Sequence, residues 1–478
     1  MRALGFCVTV EHARFMAARF SEAGITSVAI WGESPPEQRR AALADLADGR
    51  IAVVFTVDLF NEGIDIPNVD TLLLLRPTES ATLFLQQLGR GLRRAAGKSV
   101  CTVLDFVGHH RKEFRYDLRF RALLGNVTRP AVERQVKEGF PFLPAGCSAD
   151  LDPIAQEIVL RSIRESLPST WRPRIAELRS IGDVSLGMFL SQSGLDLEDV
   201  YANGRSWTQL REAVGFSVPP AGPEDESLLK AAGRLTHIDD PIRIETYRRL
   251  LQATTEPSFD LMPELDRRLA RMLLGTLSNL PASASLGEGA RQVWDHPRLR
   301  LEMLQLLDVL PSRITHLDLN LGIDDAIPLR AHARYTRLEI LAALGVGAGL
   351  RAPSWQEGVR WFPSIPVDVF AFTLDKTAGS FSPTTRYRDY AISPQLIHWE
   401  SQSATSIASP TGQRYINHKR RGSHVLLFAR LDVSSRSYWC LGPATYVRHQ
   451  GDRPIGITWK LEHPLPTDLY TAFAAAVA

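Results

Sequence analysis

The segment Gln86-Gln87-Leu88-Gly89-Arg90-Gly91-Leu92-Arg93-Arg94 places three arginines within five residues. Arg90 and Arg93 stand three apart, so on a helix they share one face, and paired guanidinium forks suit the oxygens of a phosphate. A second segment, Thr56-Val57-Asp58-Leu59-Phe60-Asn61-Glu62-Gly63-Ile64-Asp65-Ile66-Pro67, has the make-up of a ligand loop. In it Gly63 permits close backbone approach, and Asp65 is able to accept from a ribose hydroxyl. Taken alone, the same stretch reads equally well as a strand-to-helix turn with a capping aspartate.

These segments need elements to hold them. Short apolar runs near Gly5–Val10, Ser27–Ile30, Ile51–Val57, Thr71–Leu75 and Ser99–Asp105 alternate with helical patterns, the rhythm of a parallel sheet covered by helices on both faces. Ser34-Pro35-Pro36-Glu37 predicts a helix with Ser34 as N-cap, ending near Asp48-Gly49. In such a sheet ligands collect at the carboxyl ends of the strands, so the chemistry is expected in the loops that follow them.

Phe6-Cys7-Val8-Thr9-Val10-Glu11-His12-Ala13, the Thr56–Pro67 loop and Gln86–Arg94 together resemble motifs IV, V and VI of superfamily 2 helicases of the DEAD/DEAH-box type, in that order. The resemblance covers roughly the first 110 residues and implies the second RecA-like lobe. By that likeness Gly63, Asp65 and Gln86 are cofactor-binding, and Arg90 and Arg93 are arginine fingers that touch the nucleotide and act in catalysis. Thr9, Val10 and Thr56 are, on the same footing, contacts to the nucleic-acid backbone. An arginine placed beside the transferring phosphoryl group stabilises its charge.

The departures matter as much. The resemblance implies that the nucleotide is held mainly by a first RecA-like lobe with a GxxxxGK[ST] loop and an acidic magnesium-binding motif, and neither occurs in the sequence. Gly97-Lys98-Ser99 lacks the upstream glycine at the right distance and reads as a turn, and Glu224-Asp225-Glu226 lacks the preceding apolar strand of a magnesium site. ATP and magnesium are therefore expected only together with a first lobe, supplied in cis or in trans, and no cofactor is expected for the chain alone. With Met1 just ahead of the first motif, the chain is expected to be the C-terminal portion of a longer helicase.

Beyond the lobe, His109–Arg121 interleaves basic and aromatic residues; it reads either as a helix lying along phosphates or as a solvated helix packing its apolar side on the lobe. Helical patterning fills 152–216 and continues to about Gly349, with Val218–Pro223 as the best linker candidate and Thr336–Glu339 as a capping box. After Trp361 the period becomes two, most cleanly in Ile455–Glu462, which predicts a β-rich domain, a curled sheet or barrel. The expected domains are 1–125, the lobe; 126–220, a helical connector; 221–350, a helical domain; and 351–478, the β-rich domain. Within the last, Arg386, Tyr387, Trp399, Gln402, Arg414, Lys419, Arg420 and Arg421 combine rings, amides and cations as single-strand binding surfaces do. Trp399 reads alternatively as a core residue. The region from Arg334, especially Tyr387–Tyr390, Ala391–Pro394 and His398–Gln402, resembles an uncharacterised domain at the C-terminus of bacterial superfamily 2 helicases. A nuclease is disfavoured, since neither a paired HxK motif nor an acidic pair followed by Glu-x-Lys is present.

Composition bounds the rest. With 44% apolar and 23% charged residues, the chain is neither disordered nor fibrous, and 55 basic against 53 acidic residues restrict any nucleic-acid surface to local patches. Cys7, Cys101, Cys147 and Cys440 form no CxxC pair, and no metal site is expected. No apolar run approaches a membrane span, so the expected setting is the cytoplasm, without a membrane partner. The leading expectation is the C-terminal portion of an ATP-dependent DNA helicase or translocase, with RNA as the other possible partner. The alternative is a non-catalytic nucleic-acid-binding or specificity module on a RecA-like platform.

Overall fold

The computed structural model describes residues 1–57, 69–76, 81–92, 95, 98–106, 116, 120, 123–124, 129–140, 143, 147–165, 170–374 and 389–477. The chain forms two compact units, Met1–Pro168 and Ser169–Ala478.

The first unit is built on strands β1 (Ala3–Phe6), β2 (Ser27–Trp31), β3 (Val53–Val57), β4 (Thr71–Leu74) and β5 (Thr102–Asp105). They pair in the order β2-β3-β1-β4-β5, every pair parallel. Helices α1 (Val10–Glu22), α2 (Pro36–Asp48) and α3 (Ala81–Gly91) cover it. Side chains alternate between the two faces: Leu4, Phe6, Val54, Leu72 and Leu74 pack with Leu46 of α2 and Phe84 and Leu88 of α3. Ala3, Val53, Phe55 and Leu73 pack with Ala13 and Ala17 of α1. Burial on both faces is why β1, β3 and β4 read as unbroken apolar runs, each large side chain contributing about 1.5–3 kcal/mol, whereas β5 at the sheet edge is largely exposed. Two boundaries depart from expectation. The first strand stops at Phe6 because Thr9 caps α1. Ser34 does not cap α2: its hydroxyl accepts from the Trp31 N–H at 2.9 Å, and Pro35 occupies the N-cap.

Helices α4 (Arg129–Lys137) and α5 (Pro153–Glu165) complete this unit. Val132, Val136, Val159 and Ile163 form a small core with Tyr116, one of two described residues of the His109–Arg121 stretch. The other is Phe120, which packs against that core. The two described side chains therefore face apolar neighbours, and the remainder of the stretch lies outside the described residues.

The second unit opens with helices α6 (Trp171–Ile181), α7 (Leu186–Ser193), α8 (Leu197–Val200), α9 (Trp207–Val214), α10 (Asp225–Ala232), α11 (Pro241–Gln252), α12 (Glu264–Leu277), α13 (Leu286–Trp294) and α14 (Pro297–Val309). The expected linker at 218–223 is instead strapped down: Arg298 of α14 donates to the Pro219 carbonyl at 2.6 Å and to Glu212 of α9 at 3.0 Å. Asp225, buried, accepts from the Gly222 N–H at 2.6 Å.

Short strands β6 (Leu319–Asn320), β7 (Arg330–Ala331) and β8 (Arg334–Thr336) lead into α15 (Arg337–Ala343). Then follow β9 (Val359–Phe362), β10 (Val367–Thr373), β11 (Tyr390–Ser393), β12 (Leu396–Glu400), α16 (Pro410–Ile416), β13 (His424–Arg430), β14 (Ser437–Gln450), β15 (Gly456–Leu461) and α17 (Thr467–Val477). The sheet is mixed, ordered β11-β12-β15-β14-β13-β10-β9 with β8 on β14, and β10 and β13 run parallel. Long β14 pairs through its first half with β8 and β13 and through its second with β15.

Candidate functional site

Thr9 sits after β1 in extended geometry (φ −134°, ψ 166°), its hydroxyl accepting from the His12 N–H at 3.2 Å. It is exposed, and Val10 beside it is half-buried. The first turn of a thirteen-residue helix offers free N–H groups and a partial positive charge, a natural seat for phosphate. Glu11 already uses that turn: a backbone N–H and the Thr9 hydroxyl hold its carboxylate below the ordinary range.

Thr56 lies next door, in register with Phe6, with the Cys7 N–H donating to its carbonyl at 2.8 Å. Its side chain is fully buried and its hydroxyl finds no partner among the described residues. The expected phosphate contact at Thr56 is thereby corrected, because the hydroxyl faces the interior. Gly63, Asp65 and Arg93 lie outside the described residues.

Helix α3 presents Gln86 outward and buries Gln87, Phe84 and Leu88. Arg90 is half-buried on its last turn. What seats that turn is Gly91: a Cβ there would lie 2.4 Å from Cys101 Sγ and 2.9 Å from Leu72 Cδ1. Only glycine allows this approach. Lys98 Nζ donates to the Gly91 carbonyl, so the lysine of Gly97-Lys98-Ser99 caps a helix end. Sequence reading named Gly91 within the arginine segment and Lys98 within a turn but assigned neither the close approach nor the cap; for Gly91 the signal was a small residue between two arginines.

Thr9 and Thr56 belong to the carboxyl ends of β1 and β3. The Arg90 turn rests instead on Leu72, near the start of β4, and Cys101, just before β5. Helix α3 has run back along the sheet, so the two sets lie toward opposite edges, against the expectation that all the chemistry gathers at one.

In the second unit, Trp399 is 4% exposed, its ring 4.3 Å from Phe370 and 5.8 Å from Tyr415. It is a core residue, not a platform for bases. Arg414 grips the buried Asp368 carboxylate at 2.7 and 2.9 Å and lies over Trp361, which corrects its reading as a phosphate contact. Gln402, Lys419, Arg420 and Arg421 are exposed, the last three on one 3₁₀ turn closed by Gly422. Arg386 and Tyr387 lie outside the described residues. Among the described residues no His, Cys, Asp or Glu cluster could hold a metal, and no helix is long and apolar enough to cross a membrane.

Residues 1–95 match the helicase conserved C-terminal domain. Residues 329–473, from β7 into α17, match a domain of unknown function, DUF3427. The chain is 38% identical over 109 residues to the putative mitochondrial ATP-dependent helicase irc3 of Schizosaccharomyces pombe, covering 23% of this chain and 18% of that protein. It is 33% identical over 103 residues to the Saccharomyces cerevisiae putative ATP-dependent helicase IRC3, covering 22% of this chain and 15% of the relative. A 51.5 kDa protein of a Lactococcus phage is 35% identical over 109 residues, 23% of this chain and 24% of its own length. The chain thus spans less than a quarter of the length of these relatives. The likeness to the helicase conserved C-terminal domain thus covers residues 1–95, the stretch on which the three motif-like segments lie.

Proposed function

We propose that the chain is the C-terminal part of an ATP-dependent superfamily 2 helicase or translocase acting on DNA. In this reading Arg90 and Arg93 complete a nucleotide site whose phosphate-cradling loop and magnesium ligands belong to a first RecA-like lobe. Thr9 and Val10 hold the backbone of the translocated strand at the N-terminus of α1. The supporting observation is the seating of the Arg90 turn by Gly91 on one side of the lobe, with the exposed cap of α1 on another. Two sites so arranged take two ligands, one for nucleotide and one for nucleic acid. With ATP and magnesium, the chain alone should show no DNA-stimulated turnover. Turnover should appear when a lobe bearing a GxxxxGK[ST] loop is supplied, and should exceed that stimulated by RNA. Turnover by the chain alone that Arg90→Ala abolishes would contradict this reading.

A further inference from the structure

Two adjoining cavities of about 580 and 780 Å³ lie within the second unit and share Arg234 and Arg436 in their walls. Arg337 and Arg351 line the first, and Lys230 and Arg334 the second. Against these six cations the lining holds one acid, Glu198, which is itself paired with Arg313. A chain with a net charge of only +2 has concentrated positive charge here.

The cations fall into two groups. Arg334 donates to Asp239 at 2.8 Å, Arg337 to the Trp355 carbonyl at 3.0 Å, and Arg351 to the Ser278 carbonyl at 2.8 Å. Lys230, Arg234 and Arg436 are exposed, and none pairs with a carboxylate among the described residues. Gly204, at φ +72°, lets the Lys230 stem lie flat, since a Cβ there would come within 2.9 Å of Lys230 Cε.

The walls are fixed from beneath. Arg243 of α11 donates to Glu339 of α15 at 2.9 Å and to the Arg334 carbonyl at 2.7 Å. His237 bridges the Arg234 carbonyl, 2.9 Å from its Nδ1, and Glu339, 2.7 Å from its Nε2. This buried network fastens the helical wall, carrying Lys230 and Arg234, to the β8–α15 wall. With both walls and the paired Arg334, Arg337 and Arg351 held in place, a bound polyanion has only the exposed Lys230, Arg234 and Arg436 side chains to order.

We propose that this groove binds the phosphodiester backbone of a polynucleotide, at a surface separate from the helicase lobe and from the Lys419–Arg421 turn. Cations spread over two joined cavities suit a chain of phosphates better than one isolated phosphate. The choice of polynucleotide among polyanions rests on the translocase reading; the charge and geometry of the groove do not.

The test uses the whole 478-residue chain and fluorescein-labelled oligonucleotides, 20 nucleotides single-stranded or 20 base pairs duplex, titrated across salt by anisotropy. Arg234→Ala/Arg436→Ala should weaken binding roughly tenfold or more and reduce the single-strand salt slope by about 1.4. Arg234→Lys/Arg436→Lys should recover most of both, while melting curves of the variants match the wild type. Unchanged affinity and slope in the alanine variant would overturn the proposal, as would loss of binding only in Lys419→Ala/Arg420→Ala/Arg421→Ala. Equal competition by inorganic phosphate or a mononucleotide would mark a small-ligand pocket instead, and equal competition by poly-glutamate would remove the polynucleotide. ATP turnover of the chain completed by a first lobe, and its loss in Arg90→Ala, test the translocase reading separately.

Discussion

Gly91 at the end of α3 touches Cys101, so closely that a Cβ on the glycine would stand 2.4 Å from the sulfur. This contact seats the turn that carries Arg90. Gly91→Ala should therefore overpack the lobe, costing about 1–3 kcal/mol in urea denaturation of the first unit. Cys101→Ala added to Gly91→Ala should recover part of the loss, a coupling read from the double-mutant cycle. Independent, additive effects would show that the contact does not seat the turn.

Arg414 and Asp368 form a pair of the opposite kind, a cation holding a fully buried carboxylate. Arg414→Ala leaves that carboxylate without its counter-charge and should cost about 3–5 kcal/mol, measured by denaturation. If Arg414 instead served nucleic acid, the variant would keep its stability and lose affinity.

Trp399 packs on Phe370 and Tyr415, so Trp399→Ala should lower stability by about 3–5 kcal/mol. Oligonucleotide affinity, measured below the melting transition, should stay at the wild-type value. A stable variant with weakened single-strand binding would return the ring to the surface.

Glu339 sets an acid limit on the second unit. Burial pushes its carboxyl up, but His237 and Arg243 together with the Thr336 N–H outweigh burial and hold it down to about 2. A depressed carboxyl contributes its stability above the ordinary pKa of 4.5 and loses it as pH falls toward about 2. Over that window the loss should reach about 3 kcal/mol. Glu339→Gln should start less stable at neutral pH and show a shallower decline between pH 5 and 2. An unchanged slope would mean that Glu339 carries no such linkage.

Much of the lobe was legible because its central strands β1, β3 and β4 are buried on both faces and so appear as unbroken apolar runs. The misread cap at Ser34 shows where local rules stop: Trp31 takes the serine hydroxyl, and no pattern of residue types reveals that competition. The capping box at Thr336 was visible, since its partners are three residues apart, whereas the other partners of Glu339 lie about a hundred residues earlier. Period-two alternation put Ile457, Trp459 and Leu461 on one face of β15, the face the core covers, whereas the strand β12 that carries Trp399 went unread because His398 between Ile397 and Trp399 is buried as well. The cationic groove had no local signal at all: Lys230, Arg334 and Arg436 come from three distant elements and meet only in the folded chain.

The most direct test of the two-site lobe is a paired measurement on the protein completed by a first lobe, comparing Arg90→Ala with Thr9→Asp. Aspartate keeps the cap of α1 but repels phosphate. Arg90→Ala should cut ATP turnover by roughly 10³–10⁵ and leave DNA affinity nearly unchanged. Thr9→Asp should weaken DNA binding while turnover at saturating DNA persists. Equal loss of affinity in both variants, with turnover retained in Arg90→Ala, would contradict the assignment of nucleotide and nucleic acid to separate sides of the lobe.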